Sequence, residues 1–314
     1  MSKDDVKRRW SAPAGRVAAI VLLLGLTGTT MAAARAVEFP GPAPGPAAAS
    51  LEQDRLVLQN AVISATWNLG GDRPGLVEVV DRISGAKLQA GGGELFVVSL
   101  GDGRLLKASA MRRVGKASLE KVPPQPGAVR RSLRFGGWRA GVQLVSGDGG
   151  VRIAWQATLR DGANAVRQRI AISALQGELP VKEVTVLELA APEAATAGSV
   201  DGSPVIAGNL FLACEHPMAQ NRVKSGRVTC RVPRYRPIGP GSTWAVTSAV
   251  GVAPPGQLRR ALLYYVDRGR ARPYRPLFYY ISWFDIAYSD RKMNQKQCLE
   301  VIEAFGREMV AKRG

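Results

Sequence analysis

Two pairs of neighbouring residues in this chain could do chemistry, one in its middle and one near its end. Glu215 is followed directly by His216, and Trp283 precedes Asp285 by two positions. Residues two apart on a strand point to the same face. If residues 283–285 lie on a strand, the indole could therefore stack on a ring while the carboxylate accepts hydrogen bonds from two hydroxyls. The alternative is that Trp283 fills a core and that Asp285 caps the turn before Tyr288.

The first pair follows an apolar strand candidate at residues 209–213 and precedes a proline, which places it on a loop. Loops carried by rigid sheets are where function concentrates, so we expect Glu215 to contact a ligand or a neighbouring domain. His216 is the only histidine of the chain, and a lone histidine is more often a hydrogen-bonded loop residue. Together with Cys214 it offers too few ligands for a metal ion, so we predict neither a metal site nor a cofactor.

The three cysteines suggest one possible cross-link. Cys214 and Cys230 flank a stretch that contains the turn signal Ser225-Gly226. If that stretch is a hairpin, the two thiols could lie on adjacent strands and form a disulfide. The pairing is a hypothesis, because disulfide geometry is demanding. Cys298 lies in a helical pattern and is expected to be a core thiol.

The amino terminus has the features of an export signal. Basic residues precede an apolar run of ten residues at 17–26, and two overlapping Ala-x-Ala sites follow at 32–36. Such a run is short for a transmembrane helix and is typical of a signal peptide. We therefore predict a signal peptide at residues 1–36, a secreted or periplasmic location and no stable membrane span after cleavage. An uncleaved anchor is the alternative, and export would expose the cysteines to an oxidising compartment.

Composition and charge exclude several classes of protein. With 46% hydrophobic and 22% charged residues the chain is not disordered as a whole, and one histidine with three cysteines excludes a dense disulfide framework. The formal net charge of +18 could attract nucleic acid, anionic lipid or acidic polysaccharide. Export argues against nucleic acid as a partner.

The elements that would position these residues are mainly strands. A stretch rich in proline and alanine at 37–50 is expected to be an extended linker with nothing to pack against. From residue 51 to about 266, short alternating runs are separated by turns such as the Asp-Gly pairs that begin at 102, 148, 161 and 201. We see no helical period of useful length before residue 290. This pattern predicts a large antiparallel β-sandwich over 51–270.

The last part of the chain changes character. Residues 277–283 are apolar on both faces, as in a fully buried strand. An apolar stripe then runs from Cys298 to Val310 and predicts a helix from about Asn294, a suitable cap, to Lys312. A buried strand followed by an amphipathic helix is the opening of a βα unit, which we assign to 271–314.

Four motifs in order carry a resemblance to a known family. Residues 80–88 (VDRISGAKL), 159–168 (LRDGANAVRQ), 215–217 (EHP) and 280–285 (YISWFD) resemble the front portion of alpha-galactosidase-type glycoside hydrolases. They are also similar to bacterial endo-alpha-N-acetylgalactosaminidases. In those enzymes a galactose-mutarotase-like supersandwich precedes a catalytic (β/α)8 barrel whose first strand bears a Ser-Trp motif. The resemblance implies a mainly β fold that ends in a strand-plus-helix stub of that barrel.

The resemblance also implies a role for the four candidate residues, since the first barrel strand borders the substrate site in those enzymes. On this basis Glu215, His216, Trp283 and Asp285 are expected to contact a glycan. The later barrel strands that carry the family's paired catalytic carboxylates are absent from this chain, and glycoside hydrolysis generally requires two carboxyl groups. We therefore predict no catalytic residue. The expected protein is an exported carbohydrate-binding front piece of a hydrolase for alpha-galactosidic or related glycans, inactive alone, whose partner could be a separate barrel-containing chain.

Two other hypotheses stay open at this point. The chain could be a non-enzymatic periplasmic or envelope module that binds protein or acidic polysaccharide. It could also be a complete enzyme that uses Glu215 and Asp285. That would require the two carboxyl groups to lie about 5 Å apart for retention or roughly 6.5–9.5 Å apart for inversion.

Overall fold

The computed structural model describes residues 36–91, 93–272, 279–288 and 292–312. Almost all of the predicted signal peptide lies outside these residues, so that assignment stays a prediction. Within the described residues, none of the helices combines the length and the apolar character that crossing a bilayer requires.

The described residues form eighteen strands and two α-helices, together with short 3-10 and π-helical turns. The strands are, in chain order, β1 Ala48–Glu52, β2 Arg55–Gln59, β3 Ile63–Asn68, β4 Gly75–Asp81, β5 Lys87–Gln89, β6 Val97–Leu100, β7 Leu105–Lys107, β8 Arg112–Val122, β9 Gly137–Val145, β10 Val151–Arg160, β11 Ala165–Ala174, β12 Val181–Ala190, β13 Ala195–Thr196, β14 Val205–Ala207, β15 Leu210–Cys214, β16 Gln220–Lys224, β17 Arg227–Pro233 and β18 Thr243–Val252. The helices are α1 Leu258–Gly269 and α2 Gln295–Phe305.

The strands form three antiparallel sheets. A large sheet has the order β13-β14-β15-β18-β11-β10-β9-β8, and two five-stranded sheets have the orders β1-β2-β3-β4-β5 and β16-β17-β12-β6-β7. One hydrophobic core contains side chains from all three sheets, among them Trp67, Val98 and Trp155. The rings of Trp67 and Trp155 meet edge to face with centroids 5.9 Å apart. The prediction of a large antiparallel β-sandwich is confirmed.

Alternation along the strands decides which face of the large sheet is buried. In β10, Val151, Ile153 and Trp155 are buried in the core, and the residues between them point to the opposite, outer face. Glycines make the predicted turns possible, as at Gly103 and Gly162, whose φ angles are +88° and +71°. A residue with a Cβ is strained at such angles.

Residues 37–50 are not an unpacked linker, so that expectation is wrong. The ring of Phe39 lies 5.4 Å from the ring of Tyr264, and the amide of Ala47 donates to the Asp161 carboxylate at 2.8 Å. The segment then enters β1, which pairs with β2. Composition predicted a segment with nothing to pack against, but its backbone finds a hydrogen-bond partner on the sandwich.

The helix α1 contradicts the expectation of no helix before residue 290. Its buried residues are Ala261, Tyr264 and Arg268, at steps of three and four, which is the helical period. One of the three is an arginine, so the stripe is not recognisable from apolar residues alone.

The predicted strand at 277–283 is not present in its described part. Residues 282–284 form a 3-10 turn, in which the amide of Asp285 donates to the carbonyl of Ser282 at 3.2 Å. Buried backbone amides need hydrogen-bond partners, and here the amides bond to carbonyls a few residues away rather than to a neighbouring strand. Residues 277 and 278 lie outside the described residues.

The predicted helix at the end of the chain is confirmed. Helix α2 begins after Asn294, whose side chain accepts a hydrogen bond from the Gln297 amide at 3.0 Å, while the Gln297 side chain accepts one from Asn294 at 3.1 Å. A π-helical turn continues it through Gly306–Ala311. The apolar stripe is present but is not buried: Ile302 is 65% exposed, and Cys298 is only partly buried. The assignment of 271–314 to a barrel unit stays a prediction.

Candidate functional site

Helix α1 covers part of the outer face of the large sheet. The ring of Tyr265 lies 5.5 Å from the ring of Phe211, an outward residue of β15. The side-chain amide of Asn164 donates to the carbonyls of Val252 and Ala261, at 2.9 and 3.3 Å. The helix is therefore fixed to the sheet by both aromatic packing and hydrogen bonds, and it leaves a cavity on each of its two sides.

The larger cavity is a groove between α1, β15 and the loop residues 200–204 and 215–217. Its volume is about 880 Å³, and most of its lining is apolar. The side chains that form it include Phe211, Leu262 and Val266. Its polar residues are Asp201, Ser203, Glu215, His216, Tyr265 and Arg270.

Glu215 lies in the wall of this groove and is held by two partners. The Arg167 guanidinium donates to both carboxylate oxygens at 2.6–3.1 Å, and the Tyr265 hydroxyl donates to the same carboxylate. The backbone extends β15 by one further bond, from the Glu215 amide to the carbonyl of Thr247 at 2.8 Å. Glu215 thus links Tyr265, which lines the groove with it, to Arg167, which does not line it.

The charge states of this network follow from burial and neighbouring charge. Burial is the largest single influence and lowers the Arg167 pKa, but the charge and hydrogen bonds of Glu215 and Tyr265 together raise it above its ordinary value. Burial first, and the charge of Glu215 second, raise the pKa of Tyr265 well above its ordinary value. Tyr265 therefore keeps its proton and serves as a hydrogen-bond donor.

His216 is an exposed residue at the edge of the groove. Its Nδ1 accepts a hydrogen bond from the Met218 amide at 3.1 Å, and its own amide donates to the carbonyl of Cys214 at 3.0 Å. A neutral imidazole whose Nδ1 accepts carries its proton on Nε2. One hydrogen bond therefore fixes the imidazole ring on its loop, and the Nε2–H group is the donor that it offers to a ligand.

The second predicted pair does not join the first. Trp283 is 51% exposed on the 3-10 turn, and Asp285 accepts a hydrogen bond from the Tyr280 hydroxyl at 2.7 Å. The argument that Trp283 and Asp285 share one face of a strand is wrong because the segment is not a strand. Neither residue is among those that line the groove.

The two central cysteines lie on different sheets, which corrects the reasoning behind their pairing. The hairpin is present, with its turn at Ser225-Gly226, but it joins β16 to β17. Cys230 is on β17, whereas Cys214 is on β15 of the large sheet, and both are free, buried thiols. Burial raises the pKa of Cys214 to about 12, so this thiol stays protonated and unreactive. Within the described ranges no cluster of three metal-ligating side chains occurs.

The smaller cavity, on the other side of Tyr265, was not predicted. It has a volume of about 220 Å³ and is rich in guanidinium and other polar side chains: Arg139, Gln156, Thr158, Arg160, Arg167, Arg169, Thr247 and Arg268. Most of these occupy outward positions of β9, β10, β11 and β18. The sequence signal was the alternation of arginines with core residues on either side of the turn at Asp161-Gly162.

No protein-family model and no curated protein matches the sequence. The structure is similar to that of a GH36 alpha-galactosidase from Geobacillus stearothermophilus, with 12% identity, a TM-score of 0.49 and coverage of 83% of this chain and 49% of that one. An alpha-galactosidase from Lactobacillus brevis gives 8% identity, a TM-score of 0.44 and coverage of 84% and 47%. A putative aldose 1-epimerase from Klebsiella pneumoniae gives 8% identity, a TM-score of 0.36 and coverage of 68% of this chain and 82% of that one.

This chain spans about half the length of the alpha-galactosidases that it matches. Alpha-galactosidases and an aldose 1-epimerase are thus among the solved structures to which the chain is similar. Alpha-galactosidases are also the kind of protein that the sequence motifs resemble.

Proposed function

We propose that this chain is a glycan-binding β-sandwich related to glycoside hydrolases and that its binding site is the groove beside α1. The groove itself carries the proposal. Its volume of about 880 Å³ lies within the roughly 300–1,000 Å³ that is common for ligand sites. That is room for more than one sugar unit.

The lining suits the chemistry of a sugar, which has apolar C–H faces and a rim of hydroxyls. Leu262, Val266 and Phe211 provide apolar surface, and His216 and Ser203 at the edge provide hydrogen-bonding groups. Mostly apolar walls with a few oriented polar groups are the usual composition of a small-molecule site.

Binding without hydrolysis is part of the proposal. Two carboxylates line the groove, and an arginine holds each of them: Glu215 is paired with Arg167 and Asp201 with Arg222, both at 2.6 Å. A glycosidase needs one carboxyl group that can give up a proton and a second that acts as base or nucleophile. A carboxylate held by a guanidinium group is not placed to give a proton to a leaving group, so neither residue supplies the acid. We therefore propose that hydrolysis of alpha-galactosidic or related glycans requires a barrel outside the described residues.

Export remains part of this proposal. The basic and apolar pattern of residues 1–36 supports it, and a glycan-binding module would meet its ligands outside the cell. Detection of the mature chain in the periplasm or the medium would test this point.

Two matched variants on α1 test the groove. Val266 lines it and is 51% exposed, whereas Leu263 is 49% exposed and is not among its lining residues. We expect Val266→Arg to weaken glycan binding at least tenfold and Leu263→Arg to leave it unchanged. Calorimetry with aryl alpha-galactosides and mucin-type glycans would measure this.

Two results would contradict the proposal. If the wild-type chain binds none of these glycans, or if both variants weaken binding equally, the groove is not a glycan site. Turnover of the aryl galactosides by the chain alone would show that the separation of binding from hydrolysis is wrong.

A further inference from the structure

We propose that the smaller cavity beside α1 is a separate binding site for an oxyanion, a carboxylate, sulfate or phosphate group, on a molecule about the size of one sugar unit. Five arginines line it, and no carboxylate is among the described residues that do so. This site lies outside the groove, and its occupancy does not depend on the function proposed above.

The charge of the cavity is only partly balanced. Arg139 is paired with Glu120 and Arg167 with Glu215, both at 2.6 Å. The guanidinium of Arg160, in contrast, donates to the carbonyl of Phe135 at 2.6 Å. A carbonyl satisfies a donor but does not neutralise a positive charge.

Arg268 is a second arginine of the cavity that donates to a backbone carbonyl, and it is more deeply buried. It is 5% exposed and donates to the backbone carbonyl of Asp161 at 2.6 Å. Its guanidinium lies 3.9 Å from the ring centroid of Phe135 and 5.4 Å from that of Tyr264. The Asp161 carboxylate accepts the amide of Ala47 and is not among the lining residues.

The surrounding charges are consistent with an anion site. Burial, and then the charges of Arg139 and Arg167, lower the pKa of Arg160, and burial lowers that of Arg268. An arginine does not release its proton in a protein, so these like charges remain together. A bound anion would offset their repulsion.

The geometry suits an oxyanion carried by a small polar molecule. Guanidinium groups bind carboxylate, sulfate or phosphate oxygens through paired N–H donors. Arg169 lies opposite Gln156 on β10 and Thr247 on β18, so neutral hydrogen-bonding groups flank it within the cavity. A volume of about 220 Å³ is below the range of about 300–1,000 Å³ for larger ligands.

The test uses the full chain at constant ionic strength. Calorimetry would compare sodium glucuronate, sodium sulfate and sodium phosphate with neutral glucose. We expect Arg169→Gln to weaken binding of the anions at least tenfold. The matched control is Arg152→Gln. Arg152 is an exposed arginine on the same face of β10 as Gln156, but it does not line the cavity, so this variant should leave binding unchanged.

Each outcome decides one point. Glucuronate binding that is lost in Arg169→Gln supports the site and identifies a sugar acid as its ligand. Binding of sulfate or phosphate alone, lost in the same variant, supports the site with a free anion. No binding of any anion, equal binding of glucose, or an equal loss in Arg152→Gln would overturn the proposal. Val266→Arg should reduce glycan binding in the groove without affecting the anion, so the two proposals can fail separately.

Discussion

The β-sandwich and the C-terminal segments use apolar residues in similar patterns but bury them differently. In the sandwich, Trp67 and Trp155 are fully buried between sheets. In the C-terminal segments Trp283 is 51% exposed and Ile302 is 65% exposed, although α2 has a well-formed cap and an apolar stripe. Periodicity therefore defines which face of an element is apolar, whereas the stability that this face supplies depends on what covers it.

The largest test of this contrast is a pair of aromatic deletions. Trp155→Ala should lower the free energy of unfolding by about 3–5 kcal/mol, because it leaves a cavity between two sheets. Phe305→Ala on α2 should change it by less than about 0.5 kcal/mol, as for most surface substitutions. Urea unfolding followed by far-ultraviolet circular dichroism would measure both. Equal losses would show that α2 is part of the cooperative core.

A second test compares an ion pair in each region. Glu215→Gln should lower the free energy of unfolding by about 1–3 kcal/mol, because it leaves the largely buried Arg167 without its counter-charge. The loss should be smaller than for a fully buried pair, since both side chains keep some contact with solvent. Glu308→Gln removes an exposed pair with Lys312 and should have no measurable effect. Urea titrations of both variants would show this. A Glu215→Gln variant as stable as the wild type would contradict the network.

The third test uses pH. Because the folded pKa of Tyr265 is raised, its contribution to stability is complete below the unfolded pKa of about 10 and declines as the pH rises above it. Tyr265→Phe should cost about 1 kcal/mol at neutral pH and should lose less stability than the wild type above pH 10. Thermal unfolding between pH 7 and 11 would measure the difference. Parallel curves for the two proteins would be evidence against the buried phenol. Tyr235→Phe, at a side chain that is 80% exposed, serves as the control.

The smallest effect is one of reactivity rather than stability. With Cys214 and Cys230 buried and Cys298 partly exposed, a thiol reagent should modify one cysteine in the native protein and three in denaturant. Cys298→Ser should reduce the native value to zero. A single reactive thiol in denaturant would establish the disulfide between Cys214 and Cys230 that their flanking of the hairpin first suggested.

Local features were the ones that could be predicted. The capping role of Asn294 and the turn at Ser225-Gly226 depend on residues within three positions of each other, and both were located correctly. Helix α1 was missed because the buried Arg268 occupies a position where an apolar residue is expected. The loop position of Glu215 was predicted, but its ion pair was not, because its partner Arg167 is 48 residues away along the chain.

By itself, the sequence determined the alternation of buried and outward residues, the positions of the turns and the capped helix at the end, because these follow from backbone geometry over a few residues. Only the tertiary structure decided that β11 lies between β10 and β18, that α1 crosses the outer face of this sheet and that five arginines meet beneath it. Neighbours across a sheet are set by strand order and register, and a short stretch of chain contains no information about either.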